Sequence, residues 1–382
     1  MDGQIFAVQE HGGISRMFVE LADQFIHDPD LGVSLEPLSM VTRNHYLLSE
    51  SRLAEHLRVR PARWQHLTVA RYLARPHRAM HADVVHSTFY LTRALRDSPG
   101  RPHVVTVHDM IPELFPESRR RADRITDKRR YVDGATHVIC VSESTKNDLL
   151  RVFGDVQAPI SVIPHGVNPR FVNTEARIPG FPQDYLLYVG KRNGYKDAAT
   201  PINAMPHLVD EYPELTLMLV GGGALTSGER DYIARLGLSD RVMQRSVADI
   251  DMPAAYSAAR AFVFPSRYEG FGLPVLEAMA CGTRHRLSAL SPRRSQRYAK
   301  QPASMLPRDW ARRSCACWSS SRHSCGRALT RSMPLPPRAA SQTQWSRRSS
   351  TTRTTTLHTC PCSGSLLRRW AARRRKSAPK RA

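Results

Sequence analysis

The chain has 382 residues, 41% of them hydrophobic, with 56 Lys and Arg against 34 Asp and Glu and a formal charge of +22, a length that suits two globular domains. No apolar run reaches the ~18 residues that a membrane-spanning helix needs, and the first residues lack the charged, apolar and small-residue succession of a secretory leader. The expectation is a cytoplasmic chain, neither membrane-spanning nor conventionally secreted.

The charge is unevenly placed. Residues 284–382 hold 24 Lys and Arg and one acid, Asp309, which leaves 32 basic and 33 acidic side chains before them. The same stretch carries five of the seven Cys and four of the five Trp.

In chain order, Asp2-Gly3-Gln4-Ile5-Phe6 has the look of a first strand whose opening apolar residues lie upstream, as if an earlier start codon had been missed. Short β-branched runs then alternate with helical patterns, the mark of βαβ units on a parallel sheet. Strands are predicted at Val84–His86, Val104–His108, His137–Val141, Ile160–Ile163, Leu186–Val189, Leu215–Val220 and Ala261–Phe264. These continuous apolar runs suit a sheet covered on both faces. A helix is predicted over Ser144–Phe153, after a capping Ser142 and with an acid in its first turn. Residues 43–78 interleave Arg and His with Leu, Tyr and Trp64, a solvated helical face or a surface facing anionic lipid.

Three prolines and a glycine without period mark residues 171–183 and their approach as a linker. The organisation expected is an N-terminal domain over 1–170, a partial C-terminal domain over 184–283 with too few strands to close its sheet, and a basic tail over 284–382. Arg, Ser, Thr and Pro dominate that tail and its apolar residues lack period, so it is expected to be disordered.

The densest chemistry lies in Phe264-Pro265-Ser266-Arg267-Tyr268-Glu269-Gly270-Phe271-Gly272-Leu273-Pro274-Val275-Leu276-Glu277. A strand runs into a glycine loop, and Pro274 falls where a helix begins. Gly270 and Gly272 let backbone N–H groups approach a ligand, and a helix N-terminus favours an anion. Glu269 and Glu277 bracket the loop and can accept hydrogen bonds from sugar hydroxyls. Loop, dipole and paired carboxylates together suit a nucleoside diphosphate sugar.

This segment resembles the E-x7-E signature of the family 4 glycosyltransferases. Further likenesses follow in the family's order: His11-Gly12-Gly13-Ile14-Ser15-Arg16, Val105-Thr106-Val107-His108-Asp109-Met110-Ile111-Pro112, Val138–Thr145, Val162-Ile163-Pro164-His165-Gly166-Val167, and Leu187-Tyr188-Val189-Gly190-Lys191-Arg192 through Lys196. The resemblance implies an α/β GT-B fold, two Rossmann-like domains facing a cleft, and retaining transfer of a sugar to an acceptor hydroxyl. It implies no metal and no cofactor beyond the donor. A departing diphosphate then needs fixed cations and dipoles, for which Lys196 and either Lys191 or Arg192 are placed. The same likeness puts His108 beside the reacting centre, Glu269 toward the donor sugar and Glu277 on the ribose. Gly270, Phe271, Gly272 and Leu273 would lie along the donor, and Gly12 and Gly13 would line the cleft from the other domain. Asp109 and Arg16 are supporting candidates. Partners would be a nucleotide-sugar donor, mannose-like among others, and a saccharide or lipid-linked acceptor met at the inner membrane face.

The likeness stops after Cys281-Gly282-Thr283. Where the family continues with a Pro-Val-Ile-Ala-Ser-like strand, this chain reads Arg284-His285-Arg286-Leu287-Ser288-Ala289-Leu290. Those residues permit the codons CGT CAT CGC CTC AGC GCT CTC, which read one base later as Val-Ile-Ala-Ser-Ala-Leu. Residues 284–382 are therefore expected to be a frameshift product, and the chain a truncated transferase remnant if that frame is real. Two other readings stay open. The runs Arg368-Arg369 and Arg373-Arg374-Arg375-Lys376 could hold nucleic acid non-specifically, without a motif for a specific one. Cys315, Cys317, Cys325, Cys360 and Cys362 could bind a metal, although their spacing matches no zinc pattern.

Overall fold

The computed structural model describes residues 1–37, 39–64, 68, 82–92, 100–118, 126–192, 194–283 and 285–287. The tail's cysteines, its Arg runs and most of residues 65–78 lie outside them.

Gln4–Val8, buried over Gln4 to Ala7, forms helix α1, followed by the amphipathic α2 over Gly13–His27. The sequence had suggested a strand end at Asp2–Phe6. Instead Gln4 is fixed by Asp2, and the Ile5 amide donates to Thr88 Oγ1 at 3.1 Å. Val41–Thr42 and Arg60–Pro61 pair as a short parallel ladder.

The first main sheet is parallel throughout, in the order β1 (Val85–Ser87), β2 (His103–Val107), β3 (His137–Cys140), β4 (Ile160–Val162). Along β2 the two faces alternate: Val104 packs with Phe18 and Ile139, whereas Val105 and Val107 pack with Tyr131 and Leu149. That is the period-two division of a sheet covered on both sides. Helix α3 (Glu143–Phe153) follows β3, capped by Ser142 Oγ accepting the Thr145 amide at 3.0 Å.

The second sheet is also parallel. It contains β5 (Tyr185–Val189), β6 (Thr216–Val220), β7 (Val242–Arg245), β8 (Ala261–Phe264) and β9 (His285–Leu287), in the order β9-β8-β5-β6-β7. Its helices are α4 (Ala199–Val209), α5 (Ser227–Arg235), α6 (Met252–Ser257) and α7 (Leu273–Ala280). Leu187, Phe262 and Phe264 face one core, and Tyr188, Leu217 and Leu219 the other.

All seven predicted strands are present, each within one residue of its predicted bounds. Two more appear. Val242–Arg245 carries too little β-branched character to announce itself, and His285–Leu287 falls inside the stretch expected to be disordered. The latter pairs Phe262 with His285 and Phe264 with Leu287, so the sheet extends one strand past the point where the sequence pattern ends.

The strand order decides where a ligand can sit. From β5 the chain winds through β6 to β7 on one side, then returns to place β8 on the other. The loops after β5 and β8 thus diverge from a topological switch point, the usual crevice for a nucleotide in such sheets.

Candidate functional site

At that crevice the two loops meet. Lys196, in the turn Gly194–Lys196 after β5, reaches Glu269, after β8, with Nζ to Oε1 at 2.5 Å. One of the three ammonium N–H groups is spent there. Arg192 is placed otherwise. All five of its N–H donors are committed: Nε and Nη2 to Glu229 at 2.8 and 3.2 Å, Nη1 to the carbonyls of Gly221 and Gly223 at 2.8 and 2.9 Å, and Nη2 to Ala224 O at 2.9 Å. Hydrogen bonding to Arg192, ahead of the opposing effect of burial, lowers Glu229 to about 2. The Arg192 guanidinium thus braces the loop after β6 with all five N–H groups engaged within the protein, whereas the expectation gave it a share of the cationic role. Lys191 is exposed, and its carbonyl accepts the Tyr188 hydroxyl at 2.5 Å.

Beyond Glu269 the loop is pressed against the first sheet's end. A Cβ at Gly270 would fall 1.8 Å from the carbonyl oxygen of His108, so only glycine permits this approach. The Met110 amide donates to Tyr268 Oη at 3.4 Å, and Gly270 O accepts from Ser142 Oγ at 2.5 Å and Thr145 Oγ1 at 3.1 Å. Gly272 takes the left-handed conformation (φ 92°) as the N-cap of α7, with Leu273 and Pro274 opening the helix. Phe271 is buried, its ring edge-on to His165 at 4.9 Å.

His165 in turn stacks on His108 at 6.1 Å. His108 is buried against Phe18, and its Nε2 has no hydrogen-bond partner among the described residues. Burial, with the Lys128 ammonium adding to it, pushes His108 down to about 3; burial and His108 do the same to His165. Both rings are neutral near pH 7. Asp109 supports this strand end through Oδ1, which accepts the Ile111 amide at 3.0 Å, and through its carbonyl, which accepts from Lys128 Nζ at 2.8 Å.

Glu277 sits one helix turn deeper. Oε2 accepts from Tyr256 Oη at 2.9 Å, and Oε1 pairs with Arg16 Nη1, from the first domain's α2, at 3.5 Å. Burial raises the Glu277 carboxyl and outweighs the opposing pull of Arg16. Burial works against Arg16 as well, yet the carboxylates of Glu277, Glu20 and Asp249 hold it above its ordinary value. Gly12 caps the start of α2, and Gly13 lines a small cavity of about 40 Å³ with Arg16, Glu20, His165, Leu273 and Glu277.

Sequence reasoning picked out Lys196, Glu269, Gly270 and His108, which this geometry gathers around one crevice, and Arg16 and Glu277, which bridge its floor. It gave no role to Tyr256, a buried tyrosine in a short helix with no local signal. His165, Ser142 and Thr145 stood inside recognised motifs, but without a role. Among the described residues no group of three or more His, Cys, Asp or Glu is arranged to hold a metal, and no helix is long and apolar enough to cross a membrane.

Two family models match in succession: Glycosyltransferase Family 4 over residues 11–171 and Glycosyl transferases group 1 over residues 174–284. The chain belongs to the family 4 glycosyltransferases. It is 31% identical over 234 residues to a D-inositol 3-phosphate glycosyltransferase of Streptomyces bingchenggensis, covering 54% of this chain and 51% of that one. It is 29% identical over 223 residues to an Escherichia coli O-antigen chain mannosyltransferase B, covering 51% and 53%. The chain thus spans about half the length of the curated relatives it matches. The solved structure of Anabaena HepE in complex with UDP and glucose shares the fold, with a TM-score of 0.52, 20% identity and coverage of 82% of this chain and 90% of that one.

Proposed function

We propose that this site is built to move a sugar, with retention, from a nucleoside diphosphate sugar to a hydroxyl of a saccharide or glycolipid acceptor. The observation that carries the reading is the meeting of Lys196 and Glu269 at the topological switch point of the second sheet, beside the start of α7.

As the anomeric C–O bond breaks, negative charge grows on the leaving diphosphate. Lys196 supplies a fixed cation with two N–H groups to spare, and the first amides of α7 supply aligned dipoles; such preorganised groups cost no reorganisation at the moment of reaction. Glu269 holds the ammonium in place and presents its second oxygen to the donor sugar. Glu277 takes the ribose hydroxyls, which requires Arg16 to release Oε1. His108, neutral and with Nε2 open, can hydrogen-bond a sugar hydroxyl without adding charge.

The names of the relatives support a mannose-like donor and a polar, phosphate-bearing or polysaccharide acceptor. The exposed Arg43, Arg52, Arg58, Arg60 and Arg63, with half-exposed Trp64, supply a cationic, amphipathic face for a lipid-linked one at an anionic membrane surface.

Titrating UDP and GDP into the full chain by calorimetry tests the donor half directly. One of them binds, and Lys196→Met weakens it at least tenfold; binding of neither overturns the reading. Transfer from UDP- or GDP-hexoses to simple acceptors then tests the reaction.

A further inference from the structure

The loop that carries Glu269 and Gly270 is held from the first sheet's side at several points, and the one that fixes its backbone is the Gly270 carbonyl oxygen. Ser142 Oγ donates to it at 2.5 Å and Thr145 Oγ1 at 3.1 Å, and all three groups are buried. The peptide bond that follows is trans, as no cis bond occurs among the described residues. In a trans peptide the C=O and the next N–H point in opposite directions within one plane. Fixing the Gly270 carbonyl on Ser142 and Thr145 therefore fixes the direction of the Phe271 N–H, aimed away from the start of α3. Among the described residues, the N–H groups of Phe271, Gly272 and Leu273 donate to no protein acceptor. This leaves a run of three open amides leading into α7, whose second residue, Pro274, has no N–H to offer.

We infer that Ser142 and Thr145 are positioning residues for the diphosphate: through the Gly270–Phe271 peptide plane they orient the amides that receive it, and they do so only while the two domains are docked. The inference rests on the donor reading above and adds to it. Ser142 is at once the N-cap of α3 and half of this clamp, since its Oγ accepts the Thr145 amide while its hydrogen goes to Gly270. The loop's anion site is thereby wired to the first domain, although neither hydroxyl touches the donor.

The two duties of Ser142 can be separated. Ser142→Asp keeps a good N-cap but has no hydrogen to donate and turns a carboxylate toward the Gly270 carbonyl. Thr145→Val keeps the shape and removes the hydroxyl, while Ser142→Thr keeps both functions. Calorimetric titration of the full chain with UDP and GDP, and with uridine and guanosine as controls, reads the effect, with thermal melting to confirm folding. Ser142→Asp and Thr145→Val each weaken the bound diphosphate about tenfold and change the nucleoside less than twofold, and Ser142→Thr restores the diphosphate. Equal weakening of diphosphate and nucleoside, or an unchanged diphosphate affinity in folded Ser142→Asp, overturns the positioning role and leaves the donor reading intact. Failure of the unaltered chain to bind either diphosphate overturns both.

Discussion

Arg192 and Lys196 stand four residues apart on the same loop, both cationic, and the structure gives them different partners. Replacing Arg192 by Met removes five hydrogen bonds: two to the Glu229 carboxylate and three to carbonyls of the loop after β6. Bonds to charged groups contribute ~1.5–3 kcal/mol each when buried, but Glu229 and the loop carbonyls are partly exposed, so water recovers much of the loss. A net destabilisation of about 2–4 kcal/mol follows, which is a fall in melting temperature of about 5–12 °C for a unit of this size. Lys196→Met removes a single ion pair between side chains 20% and 12% exposed and leaves the Glu269 carboxylate without it, for about 1–2 kcal/mol. The two variants should therefore separate in a thermal melt paired with calorimetry of UDP and GDP. Arg192→Met melts early and, below its transition, still binds the diphosphate within about threefold; Lys196→Met melts near the unaltered chain and loses at least tenfold. An Arg192→Met protein of normal stability that has lost the diphosphate would refute the assignment.

Acid should unfold the chain early. His108 and His165 have native values of about 3 against an ordinary 6.5, so the unfolded chain takes up protons that the folded one refuses. Stability is untouched above pH 6.5 and falls as pH drops toward 3, by about 1.4 kcal/mol per unit per ring, or about 2 kcal/mol each at pH 5. Urea midpoints at pH 7 and 5 measure this, and a midpoint that does not fall would contradict the burial of these rings. Gly270→Ala sets a Cβ 1.8 Å from the His108 carbonyl oxygen, so the loop must retreat by over an ångström, at about 1–3 kcal/mol. Faster proteolysis of the segment over 171–183 is the expected sign that the domains have come apart, and unchanged cleavage would show that the contact closes nothing. Resequencing the codons for Gly282 to Leu290 should restore Val-Ile-Ala-Ser in the corrected frame; confirmation of the present frame would rule out a sequencing error.

The parallel sheets were legible because their strands are short apolar runs covered on both faces, a pattern that needs no tertiary knowledge to read. The glycine loop and its two glutamates were legible for a similar reason: strand, loop and helix start follow one another along the chain. What escaped was whatever depends on contacts distant in sequence. Nothing near Arg192 says that three carbonyls about thirty residues on will surround it, and its place in the motif after β5, next to Gly190-Lys191, made it look like a ligand for phosphate. Gly270 reads as a phosphate-loop glycine, but the structure adds a second reason for it, the His108 carbonyl pressed against its Cα. Gln4–Val8 misled because a buried five-residue helix and a buried strand end share one composition.

The point where the family likeness fails lies just beyond the crevice and leaves its chemistry whole. Lys196, Glu269, the open amides of α7 and Glu277 all precede Thr283, and their supports, Tyr256, Ser142, Thr145 and Arg16, precede it as well. Beyond it, the sheet still gains β9 beside β8. A parallel ladder is made of backbone groups that every residue except proline can supply, so His-Arg-Leu can pair there. The expected Val-Ile-Ala, with two β-branched residues, would suit a pleated position better. The sequence past Thr283 thus bears on how firmly the edge of the second sheet is held, whereas the crevice is set by β5 and β8, inside it. On the proposed reading, donor binding and fold stability are accordingly separable in this chain, and a substitution within β9 is expected to change the second far more than the first.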